Sequence, residues 1–155
     1  MHKTPEIARL IHENLWTVLS FAYGQPQIGK VLSDHFKGEW RYLRETVYQL
    51  AEIKADRALL EMATQLRVLD DAEELTARFR ELDRPALGKV IQANGTETEL
   101  HFRDMTNKVM HGVHFNWHLD VDEPYVLITS KDPDRWQSAK LDLVSLMLYV
   151  GDLVY

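Results

Sequence analysis

The first half of the chain carries apolar residues at helical spacing. Between residues 4 and 22 they recur every three or four positions, and Pro5 lies in the first turn, so we predict a helix that begins at Thr4. Glycine at 24 and 29 and proline at 26 predict where this helix ends. Residues 39–82 contain no glycine or proline, which favours a long helix to about Leu69 and another that begins near Asp71.

The segment between residues 85 and 112 is also predicted to be helical. Pro85 opens a short helical turn, and the pair Asn94-Gly95 closes it. Thr96 and Glu99 have the spacing of a capping box, so we predict a helix over residues 97–111. Gly112 follows as the residue that can adopt a positive φ angle at the end of this helix.

Strict alternation of apolar and polar residues begins only after Gly112. It predicts a half-buried strand over 113–120, a turn over 122–124 and a partner strand over 125–129. The sequence Asp132-Pro133-Asp134 then begins a final, strongly apolar helix that is central to the core. We therefore predict a mainly α fold in one domain, 1–155: a bundle of four to five helices with a small β-hairpin inserted before the last helix.

Composition excludes several classes of chemistry. The 155 residues include no cysteine, so disulfides, thiolate metal sites and cysteine nucleophiles are ruled out. The formal net charge of −6 argues against broad nucleic-acid binding, and we expect no DNA partner. No apolar run approaches a membrane span of about 20 residues, and the first six residues lack the apolar core of a signal peptide. We expect a cytoplasmic protein without a membrane partner.

One face of the predicted 97–111 helix collects polar groups of several kinds. At about 100° per residue, a single sector holds Arg103, Asp104, Asn107, Lys108 and His111. An arginine can bind phosphate oxygens with a planar fork of donors, and histidine suits proton transfer near neutral pH. Asp104 or Asn107 would orient the imidazole or a ribose hydroxyl. We take Arg103, Asp104, Asn107 and His111 as candidate catalytic groups, with Lys108 as a ligand-binding residue, and expect no metal or other cofactor.

A purely structural interpretation of the same face is also open. Asp104 and Lys108 form an ordinary i, i+4 ion pair, and His111 lies in the last turn, where a cation suits the helix dipole. Arg103 and Asn107 would then face water. This alternative needs no ligand.

Four of the seven histidines, at positions 101, 111, 114 and 118, fall within 18 residues. His114 and His118 lie on one face of the predicted strand, but about 13 Å apart, so they cannot share a metal ion unaided. A turn at Gly112 would bring His111 near His114, and Asp120 would add an oxygen, but a zinc site needs three or four ligands. We favour a polar strand face in which His114 and His118 bind an anionic ligand beside the helix.

The motif Arg103-Asp104 followed by Asn107-Lys108-Val109-Met110-His111 resembles the Arg-polar…His motif of the HEPN superfamily. The resemblance implies a small helical domain, often dimeric and often a metal-independent ribonuclease of toxin–antitoxin systems. In such an enzyme Arg103 and His111 of two subunits would form one site, with Asp104 as the polar residue. The spacing from Arg103 to His111 is longer than is usual in that superfamily. It places their Cα atoms about 12 Å apart along the helix axis.

Two functions are therefore carried forward. The first is a HEPN-like domain that binds RNA or a nucleotide phosphate, with ribonuclease activity left open. The second is a non-catalytic domain for protein interaction or small-ligand binding, in which the same residues join the hairpin to the helix. In both cases we expect a homodimer, since four tryptophans offer aromatic surface for an interface.

Overall fold

The computed structural model describes residues 4–35, 37–38 and 41–153. Within them it has five helices and one five-stranded sheet. The helices are α1 (Thr4–His35), α2 (Arg41–Glu73), α3 (Leu75–Glu81), α4 (Phe102–His111) and α5 (Leu143–Gly151). The strands are β1 (Gly88–Gln92), β2 (Glu97–Leu100), β3 (Gly112–His118), β4 (Tyr125–Ser130) and β5 (Trp136–Asp142).

The fold is α+β, so the predicted mainly α bundle with one small hairpin is wrong. The strands form an antiparallel sheet in the order β2-β1-β5-β4-β3. The predicted pairing of β3 with β4 is confirmed, but this hairpin is one edge of a larger sheet. Strand β5 joins it to β1 and β2, and all three of these strands lie in segments where we expected helix.

The N-terminal half is close to the prediction except at its breaks. Helix α1 begins at Thr4 as expected, but it continues through Gly24, Pro26 and Gly29 to His35. Gln25 is buried within this stretch, so packing against the rest of the protein holds the helix where local propensity would end it. Helix α2 ends at Glu73, and the left-handed backbone of Glu74 (φ 54°) separates it from α3.

The segment around Asn94-Gly95 is a hairpin turn and not the end of a helical turn. Gln92 and Thr96 are hydrogen-bonded through their backbones, and Gly95 has a positive φ of 84°. An Asn-Gly pair between two strands is a strong hairpin signal, because both positions tolerate left-handed conformations. The predicted capping box at Thr96 is therefore wrong, since residues 97–100 pair with β1.

The beginning of the predicted final helix is strand β5. Ala139 and Leu141 are buried and alternate with exposed or half-buried residues, which is the period of a strand. Strands β1 and β4 pair with the backbone of β5 on its two sides, and Ala139 lies opposite Val90 of β1 and Ile128 of β4. Helix α5 follows directly and has a mostly buried apolar face.

The core lies between one face of the sheet and the helices. The sheet contributes Val90, Val126, Ile128, Ala139 and Leu141, all fully buried. Their neighbours along the strands are mostly exposed or only partly buried, so the other face of the sheet is open. None of the described helices is both long and apolar enough to cross a membrane.

Candidate functional site

The candidate site is built on α4, which is shorter than predicted because residues 97–100 belong to β2. Its buried residues, Phe102, Met105, Thr106 and Val109, face the core, as the apolar pattern indicates. At its end the chain passes straight into β3 through Gly112, which is extended (φ −75°, ψ 148°), so the predicted positive φ is wrong. A Cβ at Gly112 would lie 2.4 Å from Ile128 Cγ2, and this close approach explains the glycine.

Between the polar face of α4 and the β4–β5 connection lies a cleft of about 780 Å³, which we call the α4–β5 cleft. Polar and charged side chains of both segments line it, together with Trp136. The lining residues are Asp104, Asn107, Lys108, His111, Ser130, Lys131, Asp132, Arg135 and Trp136. Four of the five polar residues predicted on the helix therefore face one cleft.

A hydrogen-bonded turn places the basic residues on the far wall of this cleft. The backbone N–H of Asp132 donates to Ser130 Oγ at 2.9 Å, and that of Asp134 donates to Asp132 Oδ1 at 3.2 Å. The N–H of Arg135 donates to the carbonyl of Asp132 at 3.0 Å. This turn fixes the backbone from which Lys131 and Arg135 extend.

The cleft is cationic although the chain is acidic. Lys108, Lys131 and Arg135 against Asp104 and Asp132 leave a formal charge of +1 with His111 neutral, while the whole chain carries −6. Lys108 is engaged, because its Nζ lies 3.3 Å from Asp104 Oδ1 and 4.6 Å from the ring centre of Trp136. The side chains of the other two cations and of His111 are exposed and have no hydrogen-bond or ion-pair partner among the described residues.

Arg103 faces a different cleft. Its Nη1 lies 2.8 Å from Asp70 Oδ2 and 2.7 Å from Asp71 Oδ1. These hydrogen bonds, first that to Asp71, raise the pKa of Arg103 above its ordinary value. Together with residues of α3, Arg103 lines a cleft of about 550 Å³, which we call the α3–α4 cleft, and His111 has no part in it. The predicted pair of Arg103 and His111 therefore does not meet within one chain.

Asn107 and Asp104 line both clefts and so lie where they adjoin. The guanidinium of Arg67, on α2, donates a hydrogen bond to Asn107 Oδ1. The amide is thereby oriented with its oxygen toward α2. Its Nδ2 has no acceptor within the described part of the chain, so it is a free donor between the two clefts.

The other three clustered histidines are dispersed. His101 is exposed, 3.7 Å from Glu99, and lines the α3–α4 cleft. His114 lies in a third cleft, beside Asp56 of α2. The ring of His118 stacks on Tyr125 with centroids 4.5 Å apart. Neither His114 nor His118 lines the α4–β5 cleft, and the described residues contain no group of three or more His, Asp or Glu placed to hold a metal ion.

Lys131 and Arg135 are site residues that the sequence pattern did not single out. We assigned Asp132-Pro133-Asp134 to the start of a helix. Basic residues at such a position are ordinary surface residues and do not indicate a binding site. The useful signal was the pair of cations that flanks a turn next to the predicted hairpin.

Comparison of the chain with protein-family models, curated proteins and solved structures finds no match.

Proposed function

We propose that this protein binds the phosphate group of an RNA or nucleotide in the α4–β5 cleft. The observation that carries the proposal is that Lys131, Arg135 and His111 line one cleft without a partner of opposite charge among the described residues. By contrast, Arg84 and Arg103 are paired with aspartates. Unpaired cations that converge on a concave site favour an anionic ligand.

The side chains have distinct roles in this proposal. Arg135 offers a planar fork that suits two phosphate oxygens, while Lys131 acts as a compact point charge. His111 donates a further hydrogen bond from the α4 side. Asp104 neutralises Lys108, which keeps the positive potential of the cleft centred on the β4–β5 wall.

Fluorescence anisotropy with a labelled single-stranded RNA at low salt tests the proposal. We expect the double variant Lys131→Gln/Arg135→Gln to weaken binding about tenfold or more, because two charge-assisted contacts are lost. The matched control is Arg44→Gln/Lys54→Gln on α2, which removes the same charge from outside the cleft. Equal weakening by both double variants, or no binding by the wild type, overturns the proposal.

A second candidate function is metal-independent cleavage of the bound RNA. It is favoured by one observation, that the imidazole of His111 shares the cleft with two unpaired cations. His111 would accept the proton of a ribose 2′-hydroxyl as its oxygen attacks the adjacent phosphorus. The bond to the 5′-oxygen then breaks, that oxygen takes a proton from water, and a 2′,3′-cyclic phosphate remains. Arg135 would stabilise the charge that develops on the phosphoryl oxygens.

Product analysis by gel in the presence of a chelator separates binding from cleavage. Loss of cleavage in His111→Ala with binding retained supports the enzyme. If the RNA stays intact in the presence of the wild-type protein, cleavage is rejected and only the binding function remains. The cytoplasmic location, the homodimer and the absence of a cofactor belong to the same proposal and stay predictions.

A further inference from the structure

The α4–β5 and α3–α4 clefts adjoin, because Asp104 and Asn107 line both of them. A ligand larger than one phosphate can therefore pass from one cleft to the other over the polar face of α4. Arg103 and His111 mark the two ends of this face, about 12 Å apart along the helix axis. A single nucleotide is too short to contact both ends of this face, whereas a strand with several phosphates can contact both.

The α3–α4 cleft also contains a free cation. Arg84 there is paired with Asp152 at 2.5 Å, and Arg103 is paired with Asp70 and Asp71. Arg80, on α3, is exposed and its guanidinium has no acceptor in the residues that the structure describes. The two clefts thus repeat one feature, an unpaired arginine on the wall opposite α4.

From these features we infer that the ligand is a single-stranded oligonucleotide that spans both clefts, with Arg135 at one phosphate, Arg80 at another and the Asn107 amide between them. The inference rests on the proposed function. Arg67 is a positioning residue, because its hydrogen bond to Asn107 Oδ1 leaves Nδ2 as the donor toward the strand. A flexible single strand can enter two separate clefts beside one helix.

The clefts also indicate how such a strand is recognised. Trp136, Phe79, Phe102 and Tyr149 line them, but each is less than a tenth exposed, so none offers a face for base stacking. Besides the carboxylates of Asp83, Asp104 and Asp132, the polar groups that line the clefts are mainly cations and an amide, which contact phosphate and sugar and carry little sequence information. Binding should therefore depend on strand length and salt, and little on base sequence.

The test compares a nucleoside monophosphate with an RNA oligomer of about eight nucleotides. We expect the wild type to bind the oligomer at least tenfold more tightly. Arg80→Gln should weaken oligomer binding about three- to tenfold and leave monophosphate binding unchanged, while Arg135→Gln should weaken both. The slope of log affinity against log salt for the oligomer should become shallower by about 0.7 in Arg80→Gln, the value for one phosphate contact on a single strand.

The matched control is Arg78→Gln, which removes an exposed arginine of the same helix that does not line the cleft and whose Nη2 donates to the carbonyl of Asp152 at 3.2 Å. It should change neither affinity, and circular dichroism melting should show that both variants remain folded. Equal affinity of the wild type for the two ligands, or an oligomer affinity and salt slope that Arg80→Gln does not change, overturns the two-cleft path while the single-cleft proposal stands. Failure to bind either ligand overturns both.

Discussion

Arg103 and His111 lie on the same polar face of α4, about two turns apart, and yet they line different clefts. Two aspartates hold Arg103 on the α3 side, while His111 faces the turn between β4 and β5. One phosphate in the α4–β5 cleft would therefore contact His111 and Arg135. The arginine of the sequence motif is replaced in this role by one that lies 32 residues further along the chain.

This separation predicts that Arg103→Gln leaves the binding of a nucleoside monophosphate unchanged, because the guanidinium is already engaged outside the α4–β5 cleft. Arg135→Gln should weaken the same binding several-fold. Isothermal titration calorimetry measures both affinities, and thermal unfolding shows that each variant is folded. A loss in Arg103→Gln as large as that in Arg135→Gln would contradict the assignment of the two arginines.

Asp104→Asn should strengthen binding of the same ligand. The substitution removes a carboxylate from the edge of the cleft and frees Lys108, whose Nζ is 3.3 Å from Asp104 Oδ1. The side chains of Lys108 and Asp104 are 14% and 41% exposed, so the pair is only partly exposed. An ion pair at the surface is worth up to about 1 kcal/mol, and on that scale we expect a gain in affinity of about two- to fivefold. If Asp104 instead acts in catalysis, cleavage of RNA falls while binding rises, so affinity and turnover are measured on the same variant.

Asp70 should contribute stability that is lost in acid. Burial alone would raise its pKa, but hydrogen bonds from Arg103 and from the backbone and hydroxyl of Thr76 outweigh burial and lower the pKa below 3.8. A lowered pKa means that the carboxylate stabilises the fold above pH 3.8 and that this contribution is lost as the pH falls below it. Asp70→Asn should lower the free energy of unfolding by about 1–3 kcal/mol at neutral pH.

The neighbouring carboxylate provides the control for this prediction. Asp71 also binds Arg103, but its side chain is 62% exposed, against 5% for Asp70. Asp71→Asn should therefore cost less than about 1 kcal/mol. Urea unfolding at several pH values measures both variants, and equal losses would show that burial does not set the contribution of Asp70.

Asp56 should show the opposite pH dependence. Burial raises its pKa and Glu52 adds to the effect, whereas the hydrogen bond from Trp117 Nε1, at 2.6 Å, opposes it. For a raised pKa, the contribution to stability is present below the unfolded-state value near 3.8 and is lost as the pH rises through the folded-state value. Asp56→Asn keeps an acceptor for Trp117, so at neutral pH it should raise the free energy of unfolding by up to about 1 kcal/mol.

Asp56→Ala separates charge from hydrogen bonding at this position. It leaves Trp117 Nε1 without its acceptor and should cost about 1–3 kcal/mol. Chemical unfolding at neutral pH compares the two variants. A loss of stability in Asp56→Asn as large as that in Asp56→Ala would mean that the ionised carboxylate stabilises the fold, which contradicts a raised pKa.

The elements with a clear periodicity were predictable from the sequence. The long helices and the β3–β4 pair were predicted from the spacing of apolar residues that places them on one side of each element. The structure has these elements. The failures lie where local signals have two meanings. The pair Asn94-Gly95 is compatible with the end of a helix or with a hairpin turn, and it is a hairpin turn here because β1 pairs with β2 on one side and with β5 on the other. Pro26 is a helix breaker that packing overrides.

The candidate site was predictable in part for the same reason. The polar face of α4 follows from helical geometry, so Asp104, Asn107, Lys108 and His111 were found together. The wall of the cleft opposite α4 is formed by the β4–β5 connection. Its position depends on the pairing of β5 with its neighbouring strands, which residue spacing along the chain does not show. That is why Arg135 was missed. Arg103 was grouped with His111 because both lie on one face of the helix, but Asp70 and Asp71 of α2 hold its guanidinium away from the α4–β5 cleft.

The central claim is that a phosphate ligand binds between α4 and the β4–β5 turn. The most direct measurement is a titration of ¹⁵N-labelled protein with a nucleoside monophosphate, followed by amide chemical shifts in two-dimensional NMR. We expect the largest changes at the residues that line the α4–β5 cleft, among them Lys108, His111, Ser130, Lys131, Asp132, Arg135 and Trp136. Unchanged shifts at these positions, or changes confined to α1 and α2, would contradict the account.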